Sequence, residues 1–410
     1  MEKLLIYNIG MLQTPQGSSP LRGAAQGENL KFKNAAILIE GGVIKEVTAD
    51  GKLPVSADSA TTRVNADGKL VTPGLIDSHT HLVFGGWRQN EIPLKIKGAS
   101  YLDILRAGGG ILDTVKKTRE ASEDELYEKG MKFLDEMWAH GVTTCEAKSG
   151  YGLDIETEFK QLNVTKQING AHKMDIISTF MGAHAIPEEY KDNVDGYIDF
   201  VCNEMLPIVA KSGLATYCDI FCEDSVFNVE QSRKVLLKAK ELGFGIKIHA
   251  DEIEEIGGAL LASEVGAISA EHLIATGDQG ILALAEAGVI ANLLPQTSFY
   301  LGKSYARARD MIRAGVAVSI ASDFNPGSCP SNNLQLAINL GYLKYRMFPE
   351  EILTAVTLNA ACTIGVQDKV GTIEPGKQAD IVIWNTPDFE TVCYRFGTNQ
   401  VQTVIKAGFL

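Results

Sequence analysis

Long apolar runs, positive net charge and paired cysteines are all absent from this sequence, and each absence excludes a class of protein. No apolar run reaches the roughly 20 residues that a membrane-spanning helix needs. The start of the chain has no long apolar core of the signal-peptide type, so we expect a cytoplasmic protein. The net charge of −13, with an isoelectric point near 5.1, opposes binding to nucleic acid or to an anionic membrane. An anionic substrate would therefore need a local cation to capture it.

The seven cysteines are scattered, odd in number and without a Cys-x-x-Cys pair. This pattern excludes a disulfide framework and a thiolate zinc site, and it is typical of a protein with reduced thiols. With 410 residues and 45% hydrophobic content, the chain can bury a large core. Its size fits one large catalytic domain with a smaller partner.

From residue 71 onward, short apolar segments alternate with amphipathic stretches. Two of the amphipathic stretches, 122–140 and 229–242, predict helices, and Gly243 follows the second as a helix C-cap. The predicted strands are 74–81, 141–147, 175–184, 217–223, 245–249, 267–272, 289–294 and 316–323. Eight strands with helical crossovers predict an α/β fold, a parallel (β/α)8 TIM-like barrel.

The two ends of the chain have a different, β-rich pattern. Residues 36–47 predict a hairpin around a Gly-Gly pair, and residues 377–384 and 401–406 are again strand-like. We infer a small β-sandwich domain built from residues 1–70 and 368–410. The barrel, residues 71–367, would be inserted between these two pieces.

Metal-ligand residue types stand at the ends of four predicted strands, where barrels of this kind build their active sites. His79 and His81 are spaced i, i+2, which on a strand directs both imidazoles to the same face. His249, His272 and Asp323 follow the same pattern on later strands. The chain has only seven histidines, so chance is a poor explanation for this gathering.

Three imidazoles and one carboxylate suit Zn²⁺ or another borderline divalent metal, with a position left for water. Such a metal lowers the pKa of bound water to about 7 and makes hydroxide available at neutral pH. Asp323 can bind the metal and also take the proton of that water. His272 need not be a ligand and can instead polarise a substrate carbonyl.

Two motifs give these residues a family context. The segments VTPGLIDSHTH (71–81) and EPGKQADI (374–381) resemble the signature pair of the amidohydrolase superfamily. Further segments are similar to the imidazolonepropionase family within it: 81–88, 108–112, 148–153, 181–184 and 322–328. The resemblance runs over essentially the whole chain. It implies hydrolysis of 4-imidazolone-5-propanoate to N-formimidoyl-L-glutamate, a ring opening that releases no ammonia.

The resemblance also implies where metal and substrate bind. Each subunit would bind one metal ion through His79, His81, His249 and Asp323. The expected metal is Zn²⁺, with Fe as the alternative. The residues expected to contact the substrate are Arg88, Tyr151, His184, Glu252, Asn325, Gly327 and Ser328. The expected catalytic residues are Asp323, His272 and Glu252, and the expected assembly is a homodimer.

Elementary chemistry supports two of these assignments. The guanidinium of Arg88 can bind the propionate carboxylate in a bidentate manner, on a loop that carries Gly85 and Gly86. Glu252 follows His249 by three residues, so a turn after the strand can direct both inward and let Glu252 hold a ring N–H. Tyr101 opens a predicted helix and is assigned to packing.

Lys148 bears on the number of metal ions. In some amidohydrolases a modified lysine bridges two metals, but that lysine belongs at strand four, whereas Lys148 ends strand two. Strand four ends in Phe-Cys-Glu-Asp (221–224) instead. The sequence therefore favours one metal.

The sequence leaves two other functions open. The first is a deaminase of cytosine, guanine or a related ring, which would use a similar ligand set but release ammonia. Arg88 and the segment 148–153 argue against it. The second is a metal-free amidohydrolase-like scaffold. Such a scaffold typically loses ligands, and this chain keeps them all.

Overall fold

The computed structural model describes residues 3–54, 57, 61–98 and 109–409, which form two sheets with helices around the larger one. Tyr101 and Gly108 lie outside the described residues. In chain order, the strands are β1 (Lys3–Thr14), β2 (Leu30–Glu40), β3 (Val43–Thr48), β4 (Thr62–Asn65), β5 (Leu70–Pro73), β6 (Leu75–Asp77), β7 (Val142–Lys148), β8 (Asp175–Ala183), β9 (Tyr217–Cys222), β10 (Gly245–Ala250), β11 (Ser269–His272), β12 (Ile290–Leu293), β13 (Val318–Ile320), β14 (Ile381–Trp384) and β15 (Val401–Ile405).

The larger sheet contains β6 to β13, each paired in parallel with the next strand of the chain. Beyond the ends of β6 and β13, a parallel bridge between Thr80 and Phe324 brings the first and last strands together. The N–H of His81 donates to the carbonyl of Phe324 at 2.8 Å in the same place. The predicted (β/α)8 barrel is confirmed, with all eight strands inside or within one residue of the predicted segments.

The helices are α1 (Ile92–Ile96), α2 (Ile111–Glu120), α3 (Glu123–Ala139), α4 (Ile155–Ala171), α5 (Val194–Phe200), α6 (Leu206–Ser212), α7 (Val229–Glu241), α8 (Gly258–Val265), α9 (Asp278–Ala287), α10 (Pro295–Leu301), α11 (Ala308–Arg313), α12 (Leu334–Leu343), α13 (Pro349–Ala355), α14 (Leu358–Thr363) and α15 (Phe389–Tyr394). Most helices connect the barrel strands, while α12 to α14 follow the last barrel strand and α15 lies between β14 and β15. Short 3-10 helices span Gly23–Gly27, Gln89–Glu91 and Glu188–Tyr190, and a π-helix spans Val201–Met205. None of the helices described is long and apolar enough to cross a membrane.

Local sequence explains the ends of the two helices predicted from periodicity. A capping box of Ser122 and Glu125 begins α3 and satisfies two terminal N–H groups. After α7, Gly243 has a φ of 90°, a conformation that glycine adopts without steric cost. Both predicted helices are confirmed to within one residue at each end.

The second sheet is built from both ends of the chain. Its strand order is β15-β14-β5-β1-β2-β3, with β4 paired to β1. Strands β2 and β3 form the predicted hairpin, which turns at Gly41 and Gly42 with φ of 57° and 80°. Ile6, Ile37 and Ile381 belong to its own buried apolar cluster. The expected β domain from both ends is confirmed, while the boundaries after residues 70 and 367 stay predictions.

Candidate active site

The five metal-ligand residues meet at the carboxyl ends of the barrel strands. His79 and His81 follow β6, which is shorter than predicted and ends at Asp77, and Asp323 follows β13. Asp323 Oδ1 lies 3.5 Å from His79 Nε2 and 3.8 Å from His81 Nε2. The i, i+2 pair therefore faces a common point, as the sequence indicates.

His249 and His272 complete the cluster from neighbouring strands. His249 lies on β10 and His272 ends β11, and their ring centroids are 5.1 Å apart. Two overlapping groups have potential ligand atoms within 4.8 Å of one another: His79 with His81 and His249, and His79 with His272 and Asp323. The structure thus brings all five predicted residues together, and it places His272 close enough to bind a metal as well.

The chemistry of these histidines fits a metal ion. All four are buried, and His79 Nε2, His81 Nδ1, His249 Nε2 and His272 Nδ1 have no hydrogen-bond partner among the described residues. Burial lowers the pKa of His79, His81 and His272 well below the ordinary value, so these rings are neutral at pH 7. Neutral imidazoles with free ring nitrogens are the form that a metal binds.

Asp323 is held in place by its neighbours. The Thr297 hydroxyl donates to its Oδ2, and Asn325 Nδ2 donates to its carbonyl oxygen at 2.8 Å. Burial raises the pKa of Asp323 to about 6 in the metal-free protein, although the bond from Thr297 opposes this shift. A carboxylate at this position can bind a metal or accept a proton from water.

Arg88 lies against the loop that follows Asp323. Its peptide N–H donates to the carbonyl of Pro326 at 3.4 Å, and a Cβ built on Gly327 would lie only 0.9 Å from Arg88 Nη2. Arg88 Nε is buried and has no hydrogen-bond partner among the residues described, although Glu91 lies 3.9 Å away. Glycine at position 327 therefore makes room for the guanidinium.

The turn after Asp323 is built by Asn325. Its Oδ1 accepts the N–H groups of Gly327 and Ser328 at 2.9 and 2.7 Å, and its Nδ2 donates to the Ser328 hydroxyl at 2.9 Å. The side chain of Asn325 is thus used within the turn. Direct contact of Asn325, Gly327 and Ser328 with substrate stays a prediction.

Tyr151 and His184 stand beside His81. The ring of His184 stacks on His81 at 4.7 Å, and the ring of Tyr151 lies 5.7 Å from His81. Burial lowers the pKa of His184 to about 3, and its Nδ1 lies 3.0 Å from the carbonyl of Gly150. A neutral ring that donates from Nδ1 leaves Nε2 free as an acceptor.

The segment 150–153, which carries Tyr151, is held by a residue that was not predicted from the sequence. The buried carboxylate of Glu158 accepts the N–H groups of Gly150, Gly152 and Leu153 at 3.1, 2.8 and 2.9 Å. These bonds fold the segment that presents Tyr151. Position 158 lies on α4 and gives no local signal of this role.

Glu252 lies on the other side of the cluster, with Oε2 3.6 Å from His272 Nε2. Burial, with the negative charges of Asp323 and Glu223, raises the pKa of Glu252 to about 8. Glu223 shapes the segment that carries Glu252, because it accepts the N–H groups of Ile253 and Glu254 at 2.9 and 3.2 Å. Glu252 is therefore protonated at pH 7 and can donate as well as accept a hydrogen bond.

Two further carboxylates of the site were not predicted from the sequence. Glu271 Oε2 lies 2.8 Å from His79 Nδ1, and Asp219 Oδ1 lies 3.1 Å from His249 Nδ1. Both are buried in the barrel interior, on β11 and β9. For Asp219 the available signal was a single charged residue in an otherwise largely apolar strand, while Glu271 stands between Ala270 and His272 without such a contrast.

A (β/α)8 barrel with a cluster of histidines and an aspartate at its carboxyl end defines a class of metal-dependent hydrolase. The sequence profile of the amidohydrolase family matches residues 70–410. Imidazolonepropionase of Alkaliphilus metalliredigens (strain QYMF) is 50% identical over 416 aligned residues, covering 100% of this chain and 98% of the relative. Imidazolonepropionase of Fusobacterium nucleatum subsp. nucleatum is 52% identical over 409 residues, covering 99% and 98%. The chain belongs to the amidohydrolase family and, within it, to the imidazolonepropionases.

Solved structures share the fold at low sequence identity. Escherichia coli guanine deaminase has a TM-score of 0.74 at 15% identity, covering 100% of this chain and 99% of that one. An adenosine deaminase from Xanthomonas campestris with bound zinc has a TM-score of 0.68 at 19% identity, covering 99% and 92%. At these identities the likeness shows the fold alone.

Proposed function

We propose that the protein hydrolyses 4-imidazolone-5-propanoate to N-formimidoyl-L-glutamate. Water adds across one C–N bond of the cyclic amide: its oxygen joins the carbonyl carbon and a proton joins the departing ring nitrogen. The observation that carries this proposal is the match to imidazolonepropionases at about half identity over nearly the whole chain. The buried histidine and aspartate cluster supports it, because such a cluster can activate water.

We propose Zn²⁺ as the metal, with Fe as the alternative, held by His79, His81, His249 and Asp323. Three imidazoles and one carboxylate are ligands that both metals accept. When bound, the metal supplies Lewis-acid chemistry, lowering the pKa of water and polarising a carbonyl. Elemental analysis of protein purified without added metal would decide between the two, because each gives a distinct signal near one ion per subunit.

Asp323 and His272 carry the proposed proton and charge chemistry. Asp323 takes a proton from the attacking water and delivers it to the ring nitrogen as the C–N bond breaks. Its bond from Thr297 leaves the opposite carboxylate oxygen facing His79 and His81. His272, a neutral ring in this environment, stabilises the oxygen on which negative charge develops.

The remaining residues position the substrate. Arg88 binds the propionate carboxylate, because its guanidinium lies beside Tyr151 and the turn at Gly327 and can pair with a carboxylate in a bidentate manner. His184 accepts a hydrogen bond through Nε2, and Glu252 holds a ring N–H. Gly327 acts by leaving space for Arg88.

The two alternatives are less well supported. A cytosine or guanine deaminase would have the same fold, and the likeness to guanine deaminase extends to the fold alone. A non-catalytic scaffold would not need four buried imidazoles whose ring nitrogens lack a hydrogen-bond partner in the described part of the chain. Membership among the imidazolonepropionases favours the ring-opening hydrolase over both.

We further propose a cytoplasmic homodimer. Several large apolar side chains are exposed near α10, α12 and α15, as a surface used for self-association would be. They include Phe299, Tyr342, Phe348, Tyr394 and Phe396, between 44% and 76% exposed. Light scattering on the purified protein should give twice the monomer mass, and Tyr394→Ser should weaken the dimer.

An absorbance assay with freshly generated imidazolone propionate tests the function, with an ammonia assay on cytosine and guanine run beside it. Rapid loss of imidazolone absorbance without ammonia is expected. Ammonia released from either base would support the deaminase instead. No reaction in either assay with metal-loaded protein would support the scaffold.

A further inference from the structure

Below the histidine cluster, five charged side chains are fully buried inside the barrel. These side chains, hereafter the interior charge network, are Lys148, Lys247, Glu146, Asp219 and Glu271. A buried charge is costly unless other charges and hydrogen bonds compensate it. Hydrophobic packing, the usual filling of such barrels, would avoid this cost. The proposed reaction assigns none of the five a chemical role.

Each lysine of the network joins two carboxylates. Lys148 Nζ lies 2.7 Å from Asp219 Oδ2 and 2.9 Å from Glu146 Oε2. Lys247 Nζ lies 2.8 Å from Glu146 Oε1 and 3.8 Å from Glu271 Oε1. Glu146 is therefore the centre of the network, and Asp219 and Glu271 are its two ends.

Both ends lie beside predicted metal ligands, at the Nδ1 atoms of the two rings. Asp219 Oδ1 lies 3.1 Å from His249 Nδ1, and Glu271 Oε2 lies 2.8 Å from His79 Nδ1. A carboxylate at Nδ1 holds the hydrogen of the neutral ring there, which leaves the Nε2 lone pair free. Nε2 is indeed the nitrogen of His79 that has no hydrogen-bond partner among the described residues. Both ring nitrogens of His249 lack a hydrogen-bond partner there, and Asp219 Oδ1 approaches Nδ1 as an ion-pair contact at 3.1 Å.

Other contacts fix the orientation of the two end carboxylates. Asp219 Oδ1 also accepts the backbone N–H groups of Ile220 and His249, at 2.7 and 3.2 Å. Asn292 Nδ2 donates to Glu271 Oε2 at 2.6 Å. Neither carboxylate can rotate away from its histidine without losing these bonds.

The charge of the network complements a cation at the histidine cluster. Three carboxylates and two ammonium groups leave one negative charge unbalanced, and Asp323 adds a second above them. Burial alone would lower the pKa of Lys148, but Asp219 and Glu146 outweigh it and raise that pKa.

We propose that Asp219 and Glu271 are positioning residues that orient His249 and His79 toward the metal, and that Lys148 and Lys247 hold these two carboxylates in place through Glu146. The inference rests on the metal site of the proposed function. In this role the interior charge network sets the affinity and the coordination geometry of the metal site and does not contact the substrate.

Metal binding by Asp219→Asn and Glu271→Gln tests the proposal, since both changes keep shape and remove charge. Each variant is stripped of metal and titrated with Zn²⁺ alone in competition with a chromogenic chelator. We expect the Kd for Zn²⁺ to rise about 10- to 100-fold in each, as for other partners of metal-bound histidines. The visible spectrum of the Co²⁺-loaded variants should also shift, because the ring orientations change. The two variants act on separate histidines, so if one does not fold, the other still tests the proposal.

Lys406→Met is the matched control. Lys406 is a buried lysine, 7% exposed, that lies 2.6 Å from Asp380 in the sheet built from the chain ends. We expect this change to lower thermal stability and leave the Kd for Zn²⁺ unchanged. An equal loss of zinc affinity in the control would overturn the proposal, because general destabilisation would then explain all three variants.

The remaining outcomes separate this inference from the proposed function. If both carboxylate variants keep the wild-type Kd and Co²⁺ spectrum, the positioning role is wrong and the metal site stands. If the wild-type protein binds neither Zn²⁺ nor Co²⁺, the metal site fails and the positioning role fails with it.

Discussion

The peptide N–H of Asp323 donates a hydrogen bond to the carbonyl oxygen of His79 at 3.1 Å. These residues follow the last and the first strands of the barrel, so the bond helps close the barrel and also brings two proposed metal ligands together. Asp323 has a φ of 57° and His272 a φ of 67°, in the left-handed region that residues with side chains seldom adopt. Closure of the barrel and assembly of the site thus depend on the same backbone.

Metal removal should destabilise the protein as well as stop turnover. The ring nitrogens of His79 and His249 that face the site are buried without a hydrogen-bond partner among the described residues, so a bound metal would supply the missing interaction. A ligand present at 1,000 times its Kd adds about 4 kcal/mol to the stability of the folded state. Thermal unfolding with and without EDTA measures the effect, and added Zn²⁺ should restore the melting temperature. EDTA saturated with Ca²⁺ is the control, and an unchanged melting temperature after complete metal removal would contradict the prediction.

Gly327→Ala should weaken substrate binding through Arg88. The new methyl group would occupy the position of the guanidinium, with its Cβ 0.9 Å from Nη2. Hydrogen bonds to charged groups contribute about 1.5 to 3 kcal/mol, so we expect KM to rise about 10- to 100-fold. Gly170→Ala is the control, because no atom of the described residues lies within 4 Å of a Cβ at that position on α4. A variant of Gly327 with the wild-type KM would argue against Arg88 as the carboxylate-binding group.

Glu158→Gln should disturb the loop that carries Tyr151. The amide places an NH2 group where a carboxylate oxygen accepts backbone N–H groups, and one unsatisfied buried donor costs about 1 to 3 kcal/mol. We expect a lower melting temperature and a higher KM. Glu156→Gln, at an exposed position of the same helix, should change neither. Equal behaviour of the two variants would exclude this role for Glu158.

Stability at low pH should depend on Asp175, which joins the barrel to the sheet built from the chain ends. Its carboxylate lies 2.8 Å from Lys406 and 3.0 Å from Lys369. Burial alone would raise the pKa of Asp175, but the two lysines outweigh it and lower the pKa below the ordinary 3.8. Stability from a carboxyl group with a lowered pKa is present above its unfolded pKa and is lost as pH falls through the folded value.

Asp175→Asn should therefore lower the melting temperature at pH 7. The difference from wild type should shrink as the pH falls below about 4, near the pKa of an unfolded aspartate. Melting curves of both proteins across this range provide the measurement. A difference that stays constant with pH would mean that the charge of Asp175 contributes nothing.

Local patterns predicted the fold because barrel strands are short apolar segments and their ligands stand at strand ends. The same patterns predicted too long a first strand, 74–81, whereas β6 ends at Asp77. The pairing of β6 with β7 shifts register between Leu75 and Ile76. The N–H of Ile76 donates instead to Val356, a partner 280 residues away that no local pattern reveals.

The contacts beneath the histidine cluster were also hard to predict, because they join residues that are far apart in the sequence. Asp219 and Glu271 lie on barrel strands, where a carboxylate gives no indication of which distant lysine or histidine it contacts. The fit of Arg88 against Gly327 likewise joins residues far apart in sequence. Interactions of this kind follow from the register of the barrel strands, which single segments do not specify.

Asp323→Asn separates the two roles proposed for Asp323, metal binding and proton transfer. The amide keeps one oxygen for the metal but cannot accept a proton from water, so kcat should fall about 10²- to 10⁴-fold. Turnover and metal content are measured on the same sample at saturating Zn²⁺, so that loss of metal is not mistaken for loss of proton transfer. Asp323→Ala should lose turnover and also bind Zn²⁺ more weakly, because it removes the ligand itself. If Asp323→Asn turns over within a few-fold of wild type at full metal loading, another group must carry the proton.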